Sequence, residues 1–245
     1  MKMFDKKVSL GLIIASREFF NGTLALDARR DVIAQLDKLG IGYHILPVAA
    51  TNNGTVETKE DVRKYVQLFD EHRHDIDGFV VLLPNFGDEI AVIETIQRSR
   101  LKVPILVQAC NDDIDKVDLR GRRDAFCGKL SVCNNLYQYG IDFTDTTTHT
   151  SDIASDEFAA DLDRFARVCR TVKGLKNARI GSIGAKPEVW ARAAVAAQRF
   201  WTDAQQADLP VPIPRAFREL FRELRELMAQ MGVRRLNDQI GRAHV

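Results

Sequence analysis

The chain has 245 residues, 45% of them hydrophobic and 28% charged, with a net charge of +1 at pH 7. Such a length suits one large domain or two small ones, and the composition is that of an ordinary globular protein. The near-zero charge comes with no long basic or acidic block, so nucleic acid and membrane surfaces lose their electrostatic case as partners.

Residues 1–7 are charged and lead straight into a strand-like run, which predicts no signal peptide, and the apolar run 8–15 is too short to span a membrane. That run reads as a buried strand. The apolar spacing over 24–39 predicts a helix ended by Gly40. A second strand is expected over 43–48, a second helix over 59–72, and a third strand over 78–83, stopped by Pro84. Asp88 is placed to cap a helix over 88–98. A strand over 104–107, a helix over 128–139 ended by Gly140, and a strand over 143–148 follow. Ser155 or Asp156 caps a long helix over 155–175, and a sixth strand is expected over 179–183.

Strands that alternate with helices and are apolar on both faces predict a parallel sheet covered on both sides. The fold class is therefore α/β: a doubly wound, mostly parallel, flavodoxin-like (Rossmann-like) sheet, with a C-terminal helical appendage. Ligands of such sheets sit beyond the carboxyl ends of the strands. The segments leaving those ends are 16–20, 84–88, 108–113 and 149–150, all polar or aromatic, and they should share one edge.

After Pro187 the chain changes character. All 12 lysines lie at or before Lys186, and no glycine occurs between Gly184 and Gly232. Residues 188–207 are rich in alanine, and Pro210, Pro212 and Pro214 form a linker, so 188–214 is expected to have low order. Phe217, Leu220, Phe221, Leu224, Leu227, Met228 and Met231 recur at helical spacing and predict an amphipathic helix over 215–231. Residues 240–245 read as the translation of a short-read sequencing adapter, and therefore as an unnatural end to the chain. The expected divisions are a flavodoxin-like domain over 1–176, the start of a second domain over 177–187, an atypical helical segment over 188–239, and the adapter-derived tail.

The chain has no GxGxxG turn after its first strand, no GxxxxGK[ST] loop and no GxSxG elbow, so nucleotide and acyl-transfer chemistry lose their usual signals. Cys110, Cys127, Cys133 and Cys169 form no CxxC pair and no zinc spacing; they are expected as reduced thiols of a cytoplasmic protein. Cys127 and Cys133 read as buried small residues. His72 and His74 belong to a loop at the amino edge, expected to be solvated, and His44 to a strand, expected to be structural. His149 lies at a strand's carboxyl end and is the histidine with a case for ligand contact. Arg17 leaves the first strand on the cleft side, where a cation orients hydroxyl or anionic groups. Phe19 and Phe20 offer either core closure or a platform for a sugar's apolar face. Asn85 and Asp88 read as helix caps, Asp88 above all, while Asp112 and Asp113 offer acceptors for hydroxyls, although aspartates in loops also form turns. Lys129 stands in the first turn of its expected helix, an electrostatically poor place for a cation, and that conflict hints at a role.

Several of these segments, in order, resemble the N-terminal part of the L-fucose and L-arabinose isomerase family, in its fucose-isomerase-like branch. The matching wording is Ser16-Arg17-Glu18-Phe19-Phe20, Leu83-Pro84-Asn85-Phe86-Gly87-Asp88-Glu89, Val107-Gln108-Ala109, residues 122–140, Thr147-Thr148-His149-Thr150, residues 157–162 and residues 179–187. The likeness implies an aldose–ketose isomerase, an intramolecular oxidoreductase that moves a proton between C1 and C2 of a sugar. It implies Mn²⁺ held by Glu, Asp and His side chains of later domains, none of which is carried over to this chain, and a homo-oligomer in which this domain completes a neighbour's site. The positions similar to the family's cross-subunit sugar contacts are Arg17 with Phe19, and Asn111 or Asp112; arabinose isomerases carry other residue types there. The expectation is a substrate wall made of Arg17, Phe19, Asn85, Asn111, Asp112 and His149, in a fragment that is inactive alone. A non-catalytic sugar-binding or regulatory module of the same fold is the alternative. A flavodoxin-like signalling domain ranks below both, because the acidic cluster expected after its first strand is missing.

Overall fold

The computed structural model describes residues 7–118 and 121–176. The sixth strand, the 215–231 helix, the low-order 188–214 segment and the 240–245 tail all lie outside the described residues. Five strands, β1 (Ser9–Ile14), β2 (Gly42–His44), β3 (Gly78–Leu83), β4 (Ile105–Ala109) and β5 (Thr144–Asp145), form one parallel sheet in the order β2-β1-β3-β4-β5. This is the doubly wound order expected from the alternation of elements. Helices α1 (Thr23–Leu39), α2 (Lys59–Glu71), α3 (Glu89–Ser99), α4 (Ala125–Gln138) and α5 (Asp156–Lys176) form the connections and the final element. Right-handed crossovers sort them into two layers, α1 beside α5 and α2 beside α3 and α4.

The central strands carry the core. Every residue of β3 and β4 is buried, because helices cover both faces; all are apolar except Gln108, near the end of β4. Tyr65 and Phe69 of α2 are fully buried, and the Phe69 ring packs 4.8 Å from that of Phe79. Each full burial of such a ring contributes about 2–3 kcal/mol. Gly40, at φ 68°, ends α1 in the left-handed conformation that a residue without a Cβ adopts freely. Asp88 caps α3 by accepting a hydrogen bond from Ala91 N at 2.8 Å. Ser155 caps α5 through Phe158 N at 3.2 Å, which decides between the two candidates there.

The edges depart from expectation. The strand expected over 43–48 begins one residue earlier and pairs with β1 only over Gly42–His44. Arg29 donates to the Leu46 carbonyl at 2.7 Å, and Pro47 turns the chain into a short 3-10 segment, Val48–Ala50, so the ladder stops. The strand expected over 143–148 is reduced to Thr144–Asp145. Thr146 N donates to its neighbour Asp145 at 2.8 Å and Thr147 N to Asp161 at 2.8 Å, so carboxylates take the amides that a longer ladder would need.

Candidate functional site

Two close backbone approaches assemble the carboxyl edge of the sheet. A Cβ on Gly87 would lie 2.5 Å from Ala15 Cβ and 2.8 Å from the Ala15 carbonyl carbon, so glycine lets the β3–α3 loop rest on the end of β1. A Cβ on Gly128 would lie 2.9 Å from Phe86 Cα, so α4 presses against the same loop. Gly128 therefore serves helix-to-loop packing and does not mark the start of the helix, as its place at the head of the expected 128–139 span suggested. The helix begins at Ala125, where Asp112, thirteen residues upstream, accepts from Ala125 N at 3.0 Å and from Phe126 N at 3.2 Å. Arg123 ties the two elements together: its side chain donates to the Pro84 carbonyl at 3.0 Å, and its own carbonyl accepts from Phe86 N at 2.8 Å.

Arg17 stands over this junction. Its guanidinium carbon is 4.6 Å from the centre of the Phe86 ring, Nη2 donates to Glu89 Oε2 at 2.6 Å, and Nε is 3.8 Å from Asp88 Oδ2. Stacking and pairing hold the side chain in place while a third of it stays accessible, an arrangement that presents a fixed cation to a polar ligand. Behind it, Asn85 is fully buried and donates from Nδ2 to Ser16 Oγ at 2.8 Å. Phe19 is 65% exposed and meets the buried Phe20 edge to face at 5.4 Å, so one ring closes the core and the other offers an apolar surface.

Glu57 joins the group without having been singled out by the sequence. Val56 bridges to Ala15, which carries Glu57 to the end of β1, where its Oε2 accepts from Glu18 N at 2.9 Å. Burial raises the Glu57 carboxyl above the ordinary glutamate range; the Glu18 N–H opposes this, and the charges of Glu18, Asp88 and Asp61 add to it. Only the fold's isolated bridge reveals the position.

On the far side, His149 is exposed and its ring lies 5.7 Å from that of Phe126. Lys129 fixes the segment behind it. Its side chain is 3% exposed, and the ammonium donates to Thr146 Oγ1 at 2.7 Å and to the His149 carbonyl at 2.8 Å and pairs with Asp145. Gln108, at the end of β4, donates to the Ser151 carbonyl at 2.8 Å, and Ser151 N donates to the Ala109 carbonyl at 2.9 Å. Three side-chain atoms here are buried without a hydrogen-bond partner: Asn85 Oδ1, Gln108 Oε1 and Ser151 Oγ. Buried polar atoms are normally satisfied by protein groups or ordered water, so these three mark polar spots within the apolar end of the sheet.

The structure thus brings Arg17, Phe19 and Asn85 together at the ends of β1 and β3. His149 stands near the start of α4. Asn111 is exposed on the loop after β4. Asp112 is committed to the amides of α4 and so has a capping role in place of an open hydroxyl acceptor. Cys127 is exposed, which corrects the expectation of a buried residue: it faces away from the sheet while Gly128 and Lys129 face inward. Burial pushes the Cys110 and Cys133 thiols up to about 11 and raises that of Cys169 further, which keeps all three protonated at neutral pH.

Manganese calls for several hard oxygen or imidazole donors at one point. At this edge Asp88 and Glu89 flank Arg17, and Asp112 caps α4. Among the described residues the metal-capable group of three or more His, Cys, Asp or Glu is His44, His72 and Asp75, and it lies away from the carboxyl edge. The residues of this edge do not fit a manganese centre.

These features define a parallel, doubly wound α/β domain with polar and aromatic side chains gathered at the carboxyl ends of its strands. Residues 11–176 match the family described as "Fucose/sulfoquinovose isomerase, N-terminal domain", and the chain belongs to that family of sugar isomerases. A search of curated proteins gives no match. No helix among the described residues is long and apolar enough to cross a membrane.

Proposed function

We propose that this domain supplies one wall of the sugar site of an aldose–ketose isomerase acting on L-fucose, L-arabinose or a related aldose. The observation that carries the reading is the partly exposed Arg17 guanidinium, held in place by Phe86 and Glu89 at the carboxyl edge, with the exposed Phe19 ring two residues on. Arg17 orients sugar oxygens through charge-assisted hydrogen bonds, while Phe19 and His149 meet the sugar's C–H faces. Asn111 borders the same wall. The acid–base groups and the Mn²⁺ ligands come from residues other than these, since the edge's own carboxylates are engaged elsewhere.

A neighbouring subunit of a homo-oligomer completes the site. Phe126, Leu130 and Tyr137 are exposed at helical spacing on α4, with Ile114 and Val117 exposed on the preceding loop, and a stripe of this kind suits a protein partner. Unpaired cysteines accord with a reducing, cytoplasmic setting. The test is ketose formation by the 245-residue chain with Mn²⁺ and a panel of aldoses. No turnover is expected, and steady ketose production would overturn this division of labour. The reading as a non-catalytic sugar-binding module is favoured by the same engaged carboxylates; it requires sugar binding by a chain that forms no ketose in any assembly.

A further inference from the structure

We propose that His44, His72 and Asp75 form a binding site for a divalent transition-metal ion of the zinc class, separate from the sugar edge. Three elements bring the residues together. His44 ends the edge strand β2 and pairs in register with Gly11, well before the carboxyl end of β1. His72 closes α2, its N–H donating to the Leu68 carbonyl at 3.2 Å. The loop then folds back: Asp75 N and Ile76 N both donate to the His72 carbonyl, at 2.9 and 3.2 Å, which returns Asp75 to the same place.

The two imidazoles stack with ring centres 4.0 Å apart and planes 24° from parallel. One donor atom from each of the three residues lies within 4.8 Å of the others. Tetrahedral zinc with bonds of about 2.0–2.1 Å needs donors about 3.3 Å apart, so modest side-chain rotations close the set. Two imidazoles and one carboxylate suit zinc, nickel or copper better than magnesium or calcium, which favour all-oxygen sites. Both histidines are half-buried and Asp75 is exposed, so the ion is reachable and keeps a position for water. His74, the neighbour that the i,i+2 spacing brings to mind, is not part of the group. A bound ion would pin the three-residue edge strand β2 to the loop that feeds β3, a place where an exposed ladder otherwise frays.

The test uses the tag-free 245-residue chain, stripped with a chelator and titrated with Zn²⁺ against a chromophoric indicator. We expect one site per chain and a rise in the melting temperature of the α/β domain on saturation. His44→Ala and His72→Ala should each weaken binding by about tenfold or more, Asp75→Asn should weaken it less, and His74→Ala should leave it unchanged. Circular dichroism of each stripped variant confirms that it is folded. Co²⁺ in place of zinc should show no thiolate charge-transfer band. Absence of stoichiometric binding overturns the proposal, as does binding that survives in the folded His44→Ala and His72→Ala variants, or a thiolate signature with Co²⁺.

Discussion

Replacing Lys129 with methionine keeps most of the buried stem and removes the ammonium that holds the 145–150 segment. The His149 carbonyl then loses its donor, which costs about 1–3 kcal/mol if the group stays buried. Thr146 Oγ1 keeps its own bond to the Thr148 carbonyl at 2.7 Å, so its loss is small. Asp145 is 46% exposed and still accepts from Thr146 N, so water screens much of the lost ion pair. Release of the lysine from its desolvated position offsets part of the total. The net expectation is about 2 kcal/mol. With a urea slope near ~2 kcal/mol/M, the unfolding midpoint falls by about 1 M. Lys129→Ala should fall further, by roughly another 1–2 kcal/mol, because it also leaves a cavity. Urea unfolding followed by far-UV circular dichroism measures the shift, and amide exchange should show Ser151, which donates to Ala109, losing protection. A midpoint within about 0.3 M of wild type for Lys129→Met, with exchange at Ser151 unchanged, would refute the assignment of Lys129 as the tether of this segment.

Gly87→Ala should destabilise the domain by about 2 kcal/mol, since its Cβ meets Ala15 backbone atoms that cannot swing aside; a stability equal to wild type would contradict the close approach. Thiol labelling of the native chain at pH 8 should show one fast cysteine out of four, lost in Cys127→Ser, because Cys110, Cys133 and Cys169 are held protonated by burial; fast labelling of two would sink this. Glu57 has its folded pKa above the unfolded value, so its ionisation works against folding as pH rises through the folded pKa, and below the unfolded pKa it costs nothing. Glu57→Gln should therefore gain stability over wild type as pH rises across the carboxylate range, and a difference that stays flat with pH would count against the assignment. Arg17→Ala should change stability by under about 1 kcal/mol, because the pair is a third exposed, yet weaken sugar binding; unaltered affinity would remove Arg17 from the wall.

The centre of the sheet was legible because β1, β3 and β4 are apolar on both faces, a pattern that only a doubly covered parallel strand needs. The edges were less so. In β2 and β5 the strand-like run is longer than the ladder, and the stopping points depend on Arg29, Pro47 and Asp161, whose partners are set by tertiary contact. Asp112 is similar: nothing in its loop says that its oxygens cap a helix thirteen residues on. Lys129 announced itself by breaking a local preference, and the buried contacts supply the reason. Arg17 and Asn85 were found because their loops leave strands at the carboxyl edge. Ser151 and Glu57 were not, since one lies past a strand shortened by side-chain bonds and the other on an isolated bridge. The meeting of His44 with His72 likewise required the register of β2 beside α2, which no spacing in the chain encodes.

The central claim is that the carboxyl edge of this sheet is a sugar-binding wall. Titration of the ¹⁵N-labelled 245-residue chain with L-fucose tests it directly through the amide shifts. The account predicts changes gathered at Arg17, Phe19, Asn85, Asn111 and residues 149–151, weakened in Arg17→Ala. Shifts confined to the amino edge, or none throughout an L-fucose titration, would contradict it.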